Sequence, residues 1–138
     1  QRFGSQSIVI GIDIKKAGLL KKSYEIYTHN GTIRLKKDLL DILKNIQALS
    51  VGEILINSID NDGTNEGYNF DLIDYIFEYV NVPMTILGGA KDISDFSKAI
   101  KKYKMIGLGG GSIFVLKGKY RAVLINYPNL QQKIHICG

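Results

Sequence analysis

Residues 53–89 read EILINSIDNDGTNEGYNFDLIDYIFEYVNVPMTILGG. Glu53 to Ser58 is a short apolar run of strand length. Residues 59–67, rich in Asn, Asp and Gly, form a loop. Phe70 to Tyr79 sets Leu72, Ile73, Ile76 and Phe77, with Val80 just beyond, on one side of a helix. Pro83 to Leu87 is apolar again, and Gly88-Gly89 ends it. Strand, loop, helix and strand in this order make a βαβ unit, with parallel strands and a right-handed crossover.

The same alternation extends in both directions. Ser7 to Asp13 (SIVIGID) reads as a buried strand with a carboxylate at its end. Tyr24 to Tyr27 and Thr32 to Leu35 flank His29-Asn30-Gly31, and Asn-Gly between two β-prone runs is a hairpin signal. Lys36 to Leu49 has the apolar spacing of an amphipathic helix, with Asp38 near its start, where a negative charge suits the helix dipole. Asp92 to Lys102 is a helix, with Ile93, Phe96, Ala99 and Ile100 on its core face. Met105 to Leu108 is a fourth buried strand, ended by Gly109-Gly110-Gly111. Val123 to Tyr127 suits strand or helix equally. Residues 129–138 form a tail without a pattern, and no linker divides the chain, so one domain over 1–138 is expected. The strands are apolar throughout, as when helices cover one face and a core fills the other. Four parallel strands fit a small open α/β sheet or half of a (β/α)8 barrel, and pattern alone leaves both open.

Bulk properties exclude several classes of function. The chain has 138 residues, 45% hydrophobic and 22% charged, as in globular domains with a real core. It contains no apolar run long enough to span a bilayer and no signal-peptide pattern, so no membrane association is expected. The single cysteine, Cys137, cannot form an internal disulfide, which suits a reducing, cytoplasmic location. The net charge of +5 favours the approach of anions or simply reflects solvated helix faces. The pairs Lys15-Lys16, Lys21-Lys22, Lys36-Lys37 and Lys101-Lys102 are scattered and form no nucleic-acid-binding stripe.

Polar residues and glycines gather where strands end: Asp13, Asn57-Ser58, Gly88-Gly89 and Gly111-Ser112. In a (β/α)8 barrel that end of the strands carries the active site. Glycine loops let backbone N–H groups approach an anion, so Gly88-Gly89 and Gly109 to Ser112 are either a phosphate site or plain turns. Asp13 is placed either for general acid or base work or for a structural hydrogen bond. Asp60-x-Asp62-Gly63 lacks the other ligands of a calcium loop, so no metal is expected, and no cofactor. Asp62-Gly63-Thr64 reads as a turn whose amides and hydroxyl face a ligand. Glu53, sharing a strand face with Leu55 and Asn57, points a carboxylate toward the floor of the barrel, where it needs a partner.

These residues also carry a family resemblance. Phe3-Gly4-Ser5-Gln6 with Ile12-Asp13, Gly52-Glu53-Ile54-Leu55, Ser58-Ile59-Asp60-x-Asp62-Gly63-Thr64-x-x-Gly67-Tyr68, Gly88-Gly89-Ala90 and Ser112-Ile113-Phe114 resemble the cyclase subunit of imidazole glycerol phosphate synthase. The likeness runs from strand five to strand eight of that barrel, over about residues 2 to 114. It implies the C-terminal half of a (β/α)8 barrel. It implies that Asp13 is the second of two catalytic aspartates, the first lying on strand one, outside these residues. It implies that Asn57, Asp62, Gly63, Gly88, Gly89, Gly111 and Ser112 line a phosphate or substrate site. Glu53 is implied to belong to a charged ring where ammonia enters from a docked glutaminase subunit, the partner in a heterodimer. The implied reaction joins ammonia to a phosphorylated ribulosyl aminoimidazole nucleotide in histidine biosynthesis.

The sequence also departs from that family. Asn57 stands for a usual threonine, Leu87 for a usual serine and Gly111 for a usual alanine. Residues 110–128 look more like a branch associated with surface-sugar amidination, in which the barrel passes ammonia to a separate amidotransferase. A non-catalytic phosphate-binding half-barrel is the third possibility.

Overall fold

The computed structural model describes residues 4–18, 23–103, 105–118 and 120–137. Phe3 of the resemblance and the Lys21-Lys22 pair lie outside them.

The main sheet has six strands in the order β3-β2-β1-β4-β5-β6. They are β1 (Val9–Lys16), β2 (Tyr24–Thr28), β3 (Ile33–Leu35), β4 (Glu53–Ser58), β5 (Met84–Leu87) and β6 (Gly107–Leu108). β1, β4, β5 and β6 run parallel, while β2 and β3 form an antiparallel hairpin on the free side of β1. The helices α1 (Leu39–Ala48), α2 (Phe70–Phe77) and α3 (Ile93–Tyr103) are the crossovers.

Each helix begins at a residue whose side chain satisfies its free N–H groups. Asp38 accepts from the amides of Leu40 (2.9 Å) and Asp41 (3.2 Å), and Asn69 accepts from that of Leu72 (3.0 Å). Ahead of α3, Asp92 accepts from the Ser94 amide at 2.8 Å, and hydrogen bonding to Ser94 holds its carboxyl below the usual range. Beyond α2 the chain is pinned by Gln47 of α1, whose side chain donates to Tyr79 O (2.8 Å) and accepts from Asn81 N (2.6 Å).

The parallel strands settle the question that the pattern left open. Ile12, Ile14, Ile54, Ile56, Met84 and Ile86 are buried and pack in one core with Leu39, Leu43, Leu72, Ile73, Ile76, Phe96 and Ala99 from the helices. The alternate residues, Val9, Gly11 and Asp13, Glu53, Leu55 and Asn57, and Thr85 and Leu87, are half-buried or exposed. All the crossover helices therefore cover one face. Sequential parallel strands wound in a single direction are the layout of a barrel, whereas a doubly wound sheet reverses its strand order and is covered on both faces. The fold is α/β, four consecutive βα strands of a (β/α)8 barrel. The second face, which lines a barrel's interior, is open here.

Other boundaries also differ. β6 keeps two of the four expected residues, since Met105 is 84% exposed and lies outside the sheet. Of the stretch Val123 to Tyr127 only Val123 is in a strand, β8 (Ala122–Val123), which pairs with β7 (Leu116–Lys117) after the short helix α4 (Ser112–Val115), and residues 124–127 are neither strand nor helix. The tail holds a helix, α5 (Leu130–Cys137), packed on α3 through the buried Ile136. Among the described residues, no helix is long and apolar enough to cross a membrane.

Candidate functional site

The register of the parallel strands fixes the site. Asp13 lies opposite Asn57, and Asn57 opposite Leu87, so the three residues form a row across the open face near the C-terminal strand ends. The side-chain amide of Asn57 donates to Asp13 Oδ1 at 3.0 Å. Tyr27 lies opposite Asp13 on the hairpin side. The Leu87 side chain lies against Gly109, where a Cβ would collide with it. The row is polar at Asp13 and Asn57 and closed by hydrocarbon at Leu87.

Beside this row the loops after β4, β5 and β6 converge. Gly88 and Gly89 adopt φ of +93° and +98°, which side-chain-bearing residues rarely take. The packing forbids a side chain as well. A Cβ on Gly88 would lie 2.5 Å from the Ser58 carbonyl oxygen, and one on Gly89 would collide with the Gly67 carbonyl. This close approach lets Gly67 N donate to Gly89 O at 2.8 Å, tying the two loops together. The Ser58 hydroxyl donates to Asn61 Oδ1 (2.8 Å), and Asn61 Nδ2 in turn donates to Gly67 O (3.4 Å).

A small polar pocket lies between these loops. Asp62, Gly63, Gly88, Gly89, Gly111 and Ser112 line it, together with Asn65, Ala90, Gly109 and Gly110. Six of its ten lining residues are glycines, which let a ligand approach the backbone closely, and Asp62, Asn65 and Ser112 bring polar side chains. Gly111 differs from the Gly88-Gly89 pair. A Cβ there meets nothing within 4 Å, and its φ of −97° suits any residue.

Asn57 lies in the Asp13 row and not in the pocket wall, and two polar residues of the loop after β4 are used by the fold itself. The Thr64 hydroxyl, expected to face a ligand, donates to Asn61 O at 2.8 Å and accepts from Glu66 N at 3.3 Å, so the loop consumes it. Asp60 accepts from the Lys16 amide at 2.7 Å and lies 4.0 Å from the Lys15 ammonium, closing the end of β1.

Glu53 sits at the opposite end of the sheet. It is four residues before Asn57 on β4, about 13 Å along the strand. It borders a cleft at the N-terminal strand ends with Phe77, Val82, Pro83, Met105 and Gly107. Among the described residues none pairs with its carboxylate, so the partner expected for it is not found there.

Two residues without an assigned role in the sequence support the pocket. Tyr68 donates its hydroxyl to Gly109 O at 2.9 Å, bracing the third glycine loop, and burial and then the nearby Asp95 carboxylate push its phenol up. Asp95, buried on α3, accepts from the Lys91 amide at 3.0 Å and fixes the end of the Gly88–Lys91 loop. A carboxylate in the first turn of a helix, next to core-facing Phe96, is the signal that points to such a residue.

The family model for "Histidine biosynthesis protein" matches residues 1–121. The chain belongs to this family. Within it, the chain is 44% identical over 133 residues to a Vibrio vulnificus protein named "Putative imidazole glycerol phosphate synthase subunit hisF3", covering 96% of this chain and 51% of the relative. It is 47% identical over 127 residues to a similarly named Leptospira borgpetersenii protein, covering 92% and 50%. It is 40% identical over 99 residues to the imidazole glycerol phosphate synthase subunit HisF of Dictyoglomus turgidum, covering 72% and 38%. The chain thus spans about half the length of the curated relatives it matches most fully.

Proposed function

We propose that this histidine-biosynthesis-family chain supplies the C-terminal half of a cyclase barrel of imidazole glycerol phosphate synthase type, acting on a phosphorylated ribulosyl aminoimidazole nucleotide with ammonia from a glutaminase subunit. The observation that carries the reading is the shared rim. A carboxylate on the open face, Asp13, stands one strand from the loops that build a backbone-lined polar pocket. In this reading the pocket formed by Gly63, Gly88-Gly89 and Gly111-Ser112 takes the phosphoryl group through N–H donors. Asp62 orders the loop of the pocket wall. Asp13 exchanges a proton with the substrate, and the Asn57 amide holds Asp13 in one orientation. Glu53, at the floor, meets ammonia arriving from the glutaminase side. The names of the relatives support the reaction class.

The test is turnover of the ribulosyl nucleotide by the complete eight-unit barrel, supplied with ammonium salt. Asp13→Asn keeps the shape and removes the ionisable proton, so turnover falls by about 10²–10⁴-fold, the usual loss for a general acid or base. Undiminished turnover in that variant contradicts the assignment.

One observation favours the second reading, ammonia delivery for surface-sugar amidination. Leu87 puts hydrocarbon in the row where the resemblance implies a hydroxyl. If neither the parent nor Leu87→Ser turns the nucleotide over while phosphate still binds, the first reading falls, and ammonia delivery from a docked glutaminase then separates the second from a non-catalytic phosphate-binding half-barrel.

A further inference from the structure

The β7–β8 hairpin stands beside the polar pocket. Leu116 pairs with Val123 and Lys117 with Ala122. Its base is fixed to α4, whose first residue, Ser112, is a pocket wall. Leu124 N donates to Val115 O at 2.9 Å and Asn126 N to Phe114 O at 2.8 Å. The Phe114 ring contacts both Phe96 and Tyr127, with centroids 6.0 and 5.1 Å apart. Hairpin and pocket wall are therefore one packed piece.

At the turn, Arg121 N donates to Gly118 O at 3.0 Å, and the Arg121 backbone lies at φ +50°. This conformation is unfavourable for residues other than glycine, so backbone stability alone favours glycine at this position. The arginine side chain reaches back to the pocket. Its Nη2 lies 3.4 Å from the carbonyl oxygen of Gly63, a pocket residue. Among the described residues Arg121 has no carboxylate partner. The pocket's one carboxylate, Asp62, opposes an anion and makes a nearby cation more necessary. A neighbouring open cleft shares Asn65 and Ser112 with the pocket and is bordered by Lys91.

We propose that Arg121 is a ligand-binding residue that completes the phosphate site from the hairpin. The inference rests on the reading of the pocket as a phosphate site. The bond to a neutral carbonyl at 3.4 Å is long and weak. A phosphoryl group offers two oxygens to the guanidinium fork in shorter, charge-assisted bonds. The guanidinium exchanges the first for the second with a small swing of an exposed side chain. The hairpin thereby gives this chain a phosphate ligand on a segment to which the sequence assigned no role.

The test is calorimetric titration of the 138-residue chain with inorganic phosphate, paired with thermal melts. Arg121→Gly relaxes the turn and removes the donor, so it melts at the parent's temperature or above while binding phosphate about tenfold more weakly. Arg121→Lys keeps the charge without the fork and falls between the two. Gly111→Val adds a branched side chain to a pocket-lining residue at a position where it meets no other atom of the fold, and it weakens binding by about tenfold or more. If Arg121→Gly binds phosphate as tightly as the parent while Gly111→Val is weakened, this inference is overturned and the phosphate site survives. If the parent fails to bind, or Gly111→Val binds as the parent does, the phosphate reading falls and this inference falls with it.

Discussion

The side-chain amide of Asn57 donates to Asp13 Oδ1 over 3.0 Å, between residues directly opposite each other on neighbouring parallel strands. This contact sits on the open face of the half-barrel. It decides how the carboxylate at the end of β1 is presented, and it ties two residues expected at the substrate site to each other.

The contact predicts an energetic coupling. A hydrogen bond to a charged group contributes about 1.5–3 kcal/mol when well shielded, and a half-exposed one contributes less. In urea unfolding, Asn57→Ala and Asp13→Ala should each destabilise the chain, and the double variant should lose less than the sum by about 0.5–1 kcal/mol. Strict additivity would mean that the contact does not form in solution.

Gly89 and Gly111 should respond in opposite ways. A side chain at Gly89 meets the Gly67 carbonyl, at a φ of +98°. Gly89→Val should therefore cost more than about 2 kcal/mol of stability, among the larger values for single substitutions. Gly111→Ala meets no atom within 4 Å and should change stability by less than about 0.5 kcal/mol. Equal melting temperatures for the two variants would contradict the loop geometry. The contrast also makes Gly111 the pocket-lining position that can be changed with least effect on the fold.

Alkaline pH should loosen the fold through its buried phenols. Burial, then hydrogen bonding to Asp74, pushes Tyr103 up from 10.0 to about 12. Burial and then the Asp71 carboxylate push Tyr24 up to about 12. Because the folded values lie above the unfolded ones, the contribution of these groups is complete below pH 10.0 and is lost as pH rises toward about 12. Melting temperature should fall over that window, and Tyr103→Phe should flatten the fall. An unchanged slope in that variant would mean that Tyr103 ionises as freely in the fold as outside it.

The open face predicts self-association of the isolated chain. Val9, 53% exposed, and the partly buried Leu55 and Leu87 lie on that face, and the two-residue β6 leaves an unpaired edge. Apolar sheet faces and bare edges invite pairing with a second copy. Sedimentation should show dimers or larger species at micromolar concentration, and a monodisperse monomer would contradict this.

Where the sequence was legible, the reason was strong periodicity. The βα alternation from Glu53 to Leu87 and the His29-Asn30-Gly31 hairpin each carry a local pattern that tertiary packing merely confirms. The open inner face was legible only through the count of four strands, because Leu55 and Leu87 look the same in sequence whether or not a core covers them. Helix α5 was missed because Leu130, Ile134 and Ile136 do not share one apolar stripe. Its start was nevertheless encoded. Asn129 and Gln132 exchange hydrogen bonds at 2.9 Å each, a reciprocal cap readable as Asn-x-x-Gln just after Pro128. At the site, the residue types were readable but not their connections. Nothing in the sequence says that Asn57 turns toward Asp13, that Thr64 turns into its own loop, or that Arg121 reaches Gly63 across 58 residues.

In the proposed function, loops from three strand ends build one phosphate cradle on the rim that also carries Asp13. Titrating the isotope-labelled chain with inorganic phosphate, while following its backbone amide resonances, tests this most directly. The account predicts saturable shifts concentrated at Gly63, Gly89, Gly111 and Ser112, with Glu53 and its floor neighbours unmoved. Shifts scattered over the surface lysines, or none at these four amides at saturating phosphate, would contradict it.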